Sequence, residues 1–140
     1  MPVIVGRLDH RGQPIADLEL VGAHHRVTVL IDTGYDGEVF LYHEQLRQAG
    51  LEITFTRMDR IQLADGTETP LLVASITVNW LGERRAITLD VAPNPAPRDA
   101  RGLIGCRLLH DSRLQIDFPQ RSVRISRDRR PFQGQGASRR

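Results

Sequence analysis

Residues 27–41, with the sequence VTVLIDTGYDGEVFL, decide how the rest of the chain is interpreted. The first five of them are β-branched or apolar, which favours a half-buried strand that ends just before Asp32. Two glycines, Gly34 and Gly37, follow and permit close backbone approaches that a Cβ would block. A second apolar run, 39–41, leads out of the turn. We therefore expect a strand that holds Asp32 rigidly at the mouth of a core, where neighbouring groups can tune its chemistry.

The tripeptide Asp32-Thr33-Gly34 has a simpler interpretation as well. Asp and Gly are common turn residues, so the motif alone is more typical of a hairpin corner than of an active site. The context favours the active site, because the acid follows a hydrophobic strand instead of lying in a polar loop. A charged group placed there costs free energy unless it is used or satisfied.

The length and composition fit one domain of the soluble, globular kind. A chain of 140 residues can bury a fair-sized core. The single cysteine, Cys106, excludes an internal disulfide and looks like a small core residue. Its apolar runs are far shorter than a membrane span and no charged-then-apolar leader opens the chain, so we expect a cytoplasmic protein without a membrane partner.

The charge is concentrated at one end of the chain. All 19 basic residues are arginine, and residues 118–140 contain seven of them with a single acid, Asp128. The preceding residues are mildly acidic. A basic tail can contact nucleic acid, but Gly134, Gly136 and Ser138 favour a solvated, disordered end. We place the domain boundary at residues 1–126 and the tail at 127–140.

The first part of the chain is predicted to be mostly strand. Residues 3–5 and 15–21 form two short strands before the one that ends at Asp32. His24 and His25 are adjacent, so on a strand they point to opposite faces and cannot easily share a metal ion. A short helix over 42–49 follows, with Gly50 at the position of a left-handed C-terminal cap. We predict no metal site and no cofactor.

A long hairpin is predicted in the middle of the chain. Residues 53–63 form one strand, in which the apolar phase slips near Arg57-Met58, and 69–80 form the return arm. Asp65-Gly66 between the two arms is a strong hairpin signal. Such a hairpin could project from the core as a lid, or it could be an ordinary meander.

The last part of the chain combines a loop with short elements. Another strand is predicted at 86–91, and three prolines block regular structure over 92–101. The apolar pair Leu103-Ile104 is bracketed by glycines, and residues 106–110 can form one or two helical turns. A final pair of strands is expected, with Leu114, Ile116 and Phe118 alternating on the first of them.

In this order the motifs resemble those of the small, single-domain, retropepsin-like aspartic proteases, specifically the bacterial members of clan AA. The resemblance covers residues 15–126. It rests on Asp32-Thr33-Gly34 after an apolar strand, the Asp65-Gly66 hairpin at the place of the substrate flap, the hydrophobic-hydrophobic-glycine motif Leu103-Ile104-Gly105, and the closing strand 114–118.

The resemblance implies an all-β fold, a closed acid-protease barrel with one or two short helices and a flap hairpin. Asp32 would be the catalytic residue, and the turn would be supported by Thr33, Gly34, Leu103, Ile104 and Gly105. Ala64, Asp65, Gly66 and Thr67 would close over an extended peptide as the flap. Tyr35 and Asp36 are further candidates for substrate contact.

The resemblance also implies a homodimer, and chemistry gives an independent reason for one. Aspartic proteolysis needs two carboxyl groups that share one proton, and this chain has a single Asp-Thr-Gly. The second Asp32 would come from another copy across a two-fold axis. One carboxylate would act as general base on a bridging water, while the protonated one polarises the scissile carbonyl and later acts as general acid.

Tyr35 departs from the pattern of retroviral and pepsin-like enzymes, which have Ala, Ser or Thr after Asp-Thr-Gly. A tyrosine cannot place a short hydroxyl on the carboxylate in the same way. Without that hydrogen bond to the charged form, the two acids would keep their shared proton to higher pH. The sequence therefore predicts activity nearer neutral than strongly acidic pH, or alternatively a crowded cleft with little activity.

Two other functions stay open. The chain could be a catalytically weak or silent retropepsin-like domain that dimerises or binds peptides, although both Asp32 and Thr33 are present. It could also be a small barrel that binds nucleic acid through residues 121–140, but its body is acidic and aromatic stacking platforms are scarce. Nucleic acid is therefore not the expected partner.

Overall fold

The computed structural model describes residues 2–62, 65–93 and 95–127, and within them the chain is mainly β. The strands and helices, in chain order, are β1 (Val3–Leu8), β2 (Pro14–Leu20), β3 (Val27–Ile31), β4 (Val39–Tyr42), α1 (His43–Ala49), β5 (Arg57–Gln62), β6 (Glu68–Trp80), β7 (Glu83–Ala92), β8 (Gly102–Ile104), α2 (Cys106–Leu109), β9 (Ser112–Asp117) and β10 (Ser122–Arg127). This confirms the predicted strand-rich class with two short helices.

All of these strands belong to one hydrogen-bonded sheet in the order β5-β6-β7-β4-β8-β3-β2-β1-β10-β9. One further pairing joins β2 to β6, where Glu19 lies opposite Asn79 and Leu20 opposite Val78. The pairings therefore run from β6 through β7, β4, β8 and β3 to β2 and return to β6. The apolar side chains of these strands form the buried core, with Val29, Leu41 and Leu89 fully inaccessible to solvent.

The strand that leads to Asp32 lies in the interior of this sheet. β3 pairs antiparallel with β2 on one side and parallel with β8 on the other, where Ile31 lies opposite Ile104. β8 also pairs with β4 through Leu103 and Ile104, so β3 and β4, which flank the turn after Asp32, are both fixed to the same short strand. A Cβ at Gly102 would lie within 2.6 Å of the carbonyl oxygen of Phe40, so only glycine lets these strands approach so closely.

Helix α1 forms as the sequence predicted. It begins one residue later than expected, at His43, and ends at Ala49, and Gly50, with φ 76°, caps it in the left-handed conformation. Leu46 and Ala49 are buried against the sheet, while Glu44 and Arg47 remain on the solvent side. The helix therefore covers one side of the core.

Two predicted strands are shorter than expected. Strand structure begins at Arg57 instead of residue 53, and Ile53 and Phe55 pack against the core from a segment that is not part of the sheet. Strand β9 ends at Asp117, and Phe118 lies in the following turn with 61% of its surface exposed. In both places the alternation of apolar residues predicted a strand. Alternation indicates which side chains can be buried, and burial does not require that the backbone pairs with another strand.

Some predicted features lie outside the described residues. They are Leu63 and Ala64 in the hairpin, and residues 128–140 of the basic tail. Arg127, the first residue assigned to the tail, ends β10 and forms an ion pair with Glu83 at 2.8 Å. Neither α1 nor α2 is long and apolar enough to cross a membrane.

Candidate active site

Asp32 lies directly after β3, at the point where the sheet opens into a turn. Its backbone N–H donates to the carbonyl of Ile104 at 2.9 Å, which continues the pairing of β3 with β8 by one residue. Its carboxylate is half-buried, and Oδ1 accepts a hydrogen bond from the N–H of Gly34 at 2.9 Å. A bond from a backbone amide fixes the orientation of the carboxylate.

The turn is held from beneath by the residues around the start of α2. The backbone N–H groups of Gly105, Cys106 and Arg107 donate to the carbonyls of Glu38, Tyr35 and Gly37 at 3.0, 2.9 and 3.2 Å. A Cβ at Gly105 would overlap the carbonyl oxygens of Tyr35 and Gly37, so this position requires glycine. The predicted motif Leu103-Ile104-Gly105 therefore lies against the turn.

Other predicted site residues lie on the solvent side of the turn. Thr33, Gly34 and Asp36 are exposed. Among the described residues, a Cβ at Gly34 would meet only Oδ1 of Asp32, at 3.3 Å, so that part of the structure leaves the space above the turn open. Asp32 is therefore supported on one side by hydrogen-bonded backbone and is accessible on the other, which is the arrangement that a reacting carboxylate needs.

Tyr35 turns away from Asp32. Its hydroxyl lies 2.5 Å from Oδ2 of Asp90 on β7 and 3.3 Å from the carbonyl of Val39. A phenol has one proton, and the shorter distance shows that it goes to Asp90. Burial, together with this hydrogen bond, raises the pKa of Tyr35 well above its ordinary value. The hydroxyl is therefore a permanent donor at physiological pH.

A second side chain ties the turn to β7. Oε1 of Glu38 accepts a hydrogen bond from the backbone N–H of Thr88 at 2.8 Å. Sequence reasoning missed both Glu38 and Asp90. Asp90 alternates outward among the buried residues of β7, as any solvated strand residue would, and it lies 55 positions from Tyr35. No sequence pattern marks such a contact.

The predicted flap residues belong to a separate hairpin, formed by β5 and β6. Gly66 has φ 87°, and Oδ1 of Asp65 accepts hydrogen bonds from the N–H and the hydroxyl of Thr67 at 2.9 and 2.6 Å. These bonds, led by the one from the hydroxyl, lower the pKa of Asp65. Ala64 lies outside the described residues.

Two smaller expectations concern Cys106 and the histidines. Cys106 was expected in the core, but it is exposed at the start of α2, because the residues that α2 buries are Leu108 and Leu109. As far as the structure describes the chain, no three His, Cys, Asp or Glu side chains come together in a way that could hold a metal ion.

Comparison with solved structures identifies the fold. The chain superposes on a retropepsin-like aspartic protease from Rickettsia conorii with a TM-score of 0.58 and 20% identity, over 88% of this chain and 89% of that one. It also superposes on EIAV protease in complex with the inhibitor HBY-793, with a TM-score of 0.57 and 17% identity, over 74% of this chain and 90% of that one. No protein-family model and no curated protein sequence matches the chain. The chain therefore has a retropepsin-like fold.

Proposed function

We propose that this chain, whose fold is retropepsin-like, is a homodimeric aspartic endopeptidase. Asp32 from each of two copies would share one proton and bind a water molecule between them. The ionised carboxylate takes a proton from the water while the water oxygen attacks the scissile carbonyl. The protonated carboxyl group hydrogen-bonds to the oxygen of that carbonyl. Transfer of a proton to the leaving amine then breaks the C–N bond and restores the shared proton.

The proposal rests mainly on how Asp32 is held. Its carboxylate is fixed by the Gly34 amide at the end of an interior strand, on a turn supported by β8 and α2, with open space above it. A hairpin corner has no need of such support, whereas a catalytic group must be fixed to a fraction of an ångström. The fold similarity supports the same function.

A dimer follows from the chemistry of this one acid. These 140 residues contain one Asp-Thr-Gly, which supplies one of the two carboxyl groups that the reaction needs. A two-fold axis would bring the same surface of both copies together, so that Asp32 faces Asp32. The exposed position of Thr33 and Gly34 on the turn is compatible with contacts across that axis.

The substrate in this proposal is an extended peptide segment. The hairpin of β5 and β6, with Asp65, Gly66 and Thr67 at its turn, would close over the peptide as a flap and exclude water. The ring of pairings from β6 to β2 and back would form the closed barrel beneath it. Asp36, which is exposed, remains a candidate for contact with the peptide, whereas the hydroxyl of Tyr35 is bonded to Asp90. The protease domain would be residues 1–126, with a basic tail at 127–140, whose first residue, Arg127, still belongs to β10, and the location would be cytoplasmic.

The proposal includes activity near neutral pH. The hydroxyl of Tyr35 donates to Asp90, so it does not supply the hydrogen bond to the acid that a small residue at this position would give. The pair of acids should then keep its shared proton to higher pH than it would with that bond. A pH–rate profile that peaks below about pH 4, near an ordinary aspartate, would contradict this part of the proposal.

The test is cleavage of a diverse peptide mixture by the purified protein. We expect cleavage by the wild type, inhibition by a transition-state mimic such as pepstatin, and a loss of about a thousandfold or more in Asp32→Asn. Sedimentation should show dimers for both proteins. Dimers that bind peptides without cleaving them would instead identify a silent peptide-binding domain.

A further inference from the structure

The contact between Tyr35 and Asp90 has so far explained only why the Tyr35 hydroxyl does not hydrogen-bond to Asp32. Its O–O distance of 2.5 Å is at the short end of the range for a hydroxyl that donates to a carboxylate. Both side chains are half-buried, so the hydrogen bond is partly screened from water and is stronger than it would be at the surface. Such a bond restrains the two segments that it joins.

The first of these segments is the turn that follows Asp32. The backbone N–H of Tyr35 donates to the carbonyl of Asp32 at 3.1 Å, and its own carbonyl accepts from Cys106 at 2.9 Å. The ring packs edge-on against Phe40, with centroids 6.4 Å apart, and leaves no room for a Cβ at Gly37. A shift of Tyr35 would therefore move the backbone that orients Asp32.

The second segment is the C-terminal part of β7. Asp90 lies opposite Phe40 on β4 and opposite Val73 on β6, and Val73 lies opposite Arg57 at the start of β5. The carbonyl of Val73 also accepts hydrogen bonds from the backbone and side chain of Thr56, at 2.7 and 3.1 Å. Asp90, which holds Tyr35, therefore lies in the same row of paired residues as Arg57, where the hairpin of β5 and β6 begins.

We propose that Asp90 and Tyr35 form a positioning pair, which fixes the turn that carries Asp32 against β7 at the root of the hairpin. Neither residue touches the scissile bond in this proposal. The pair acts through the backbone of residues 32–37, and its loss would let Asp32 leave the geometry that it needs opposite the second acid. This inference rests on the proposed function for its effect on catalysis, but not for its effect on the turn.

The test compares Tyr35→Phe, Asp90→Ala and the double variant. Each single change should lower kcat by about tenfold, because a hydrogen bond to a charged group is lost, while KM changes by less than about twofold. The double variant should be no slower than either single one, because both changes remove the same contact. Asp90→Asn keeps an acceptor oxygen and should recover part of the rate.

Tyr42→Phe is the matched control. It removes the hydroxyl of the other tyrosine in the chain, whose ring also packs against Phe40, with centroids 5.2 Å apart. We expect wild-type kcat and KM from it. Circular dichroism and sedimentation would show that each variant keeps its fold and assembly, and Tyr35→Phe with Asp90→Asn carries the test if Asp90→Ala does not fold.

Amide hydrogen exchange separates this inference from the proposed function. The N–H groups of Tyr35 and Cys106 should exchange faster in Tyr35→Phe and Asp90→Ala than in the wild type or Tyr42→Phe. If the wild type cleaves no peptide, the endopeptidase proposal fails, and faster exchange still supports the positioning pair. Unchanged exchange, or rate losses that multiply in the double variant, would overturn the pair.

Discussion

Two turns of this chain contain the same three residue types in nearly the same arrangement. In Asp32-Thr33-Gly34 and in Asp65-Gly66-Thr67, Oδ1 of the aspartate accepts a hydrogen bond from the backbone N–H two residues later, at 2.9 Å in both cases. Each turn follows residues that were predicted to be strand. Judged by local geometry alone, the two are near equivalents.

Their surroundings are different. The turn at Asp32 is attached to β8, α2 and β7 by backbone and side-chain hydrogen bonds, and it rests on residues such as Val29 and Ile104 that are at most 1% exposed. The turn at Asp65 joins β6 to β5, a strand whose residues are all exposed and which pairs with β6 alone. Met58 on that strand is 60% exposed.

The comparison shows what distinguishes a candidate catalytic acid from an ordinary turn former. The hydrogen bond from an aspartate to a nearby amide is a common device of turns and indicates no function. What differs is the number of separate elements that fix each turn. A turn that is bonded to several elements can hold a reacting group in place, whereas a hairpin at the edge of the sheet is free to move.

The largest difference between the two turns should appear when alanine replaces a glycine in each. At Gly105 a Cβ would overlap two backbone carbonyls, whereas at Gly66 no atom of the described residues lies within 4 Å and the positive φ is what opposes a side chain. We expect Gly105→Ala to lower the free energy of unfolding by about 3 kcal/mol and Gly66→Ala by about 1 kcal/mol. Urea denaturation measures both.

The two variants are controls for each other, because the same methyl group is added to a turn in each. Equal losses of unfolding free energy would mean that the turn at Asp32 can change its conformation as easily as the hairpin. In that case the rigid support that we assign to β8 and α2 would not exist.

Much of this fold follows from local sequence signals. Gly50, assigned from the sequence to a left-handed C-terminal cap, correctly predicted where α1 ends. Apolar alternation correctly predicted β3 and the return arm β6. It was misleading at Ile53, Phe55 and Phe118, because it reports which side chains can be buried and not which backbone groups are paired.

The candidate site was predicted less completely. The motif Asp32-Thr33-Gly34 and the glycine-bracketed strand β8 are visible in the sequence because each has a local signature. The contacts of Tyr35 with Asp90 and of Glu38 with Thr88 join residues that are 55 and 50 positions apart. They depend on β4 lying parallel to β7, and no local pattern specifies that pairing.

The smallest expected effect concerns the pKa of Asp65 in the turn of the hairpin. The hydrogen bonds from Thr67 lower the pKa of Asp65, so the charged carboxylate slightly stabilises the turn above its ordinary pKa near 3.8, and this stabilisation is lost as the pH falls through the lowered value. Thr67→Ala should raise the pKa of Asp65 towards its ordinary value.

Carbon-detected NMR titration measures this shift and provides an internal control. Asp17 accepts a hydrogen bond from the hydroxyl of Thr28 at 2.7 Å, which lowers the pKa of Asp17 as well. Asp17 should titrate identically in the wild type and in Thr67→Ala. An unchanged Asp65 would show that Thr67 does not hold the hairpin turn.

The central claim is that one active site is made from two copies of Asp32, and subunit mixing tests it most directly. Wild-type protein is mixed with increasing amounts of Asp32→Asn, and co-purification of differently tagged copies verifies that subunits exchange. We predict that activity per wild-type subunit falls in proportion to the wild-type fraction, to about a tenth in a tenfold excess of the variant, because mixed dimers lack one acid. Activity per wild-type subunit that stays constant while the subunits exchange would contradict the shared site.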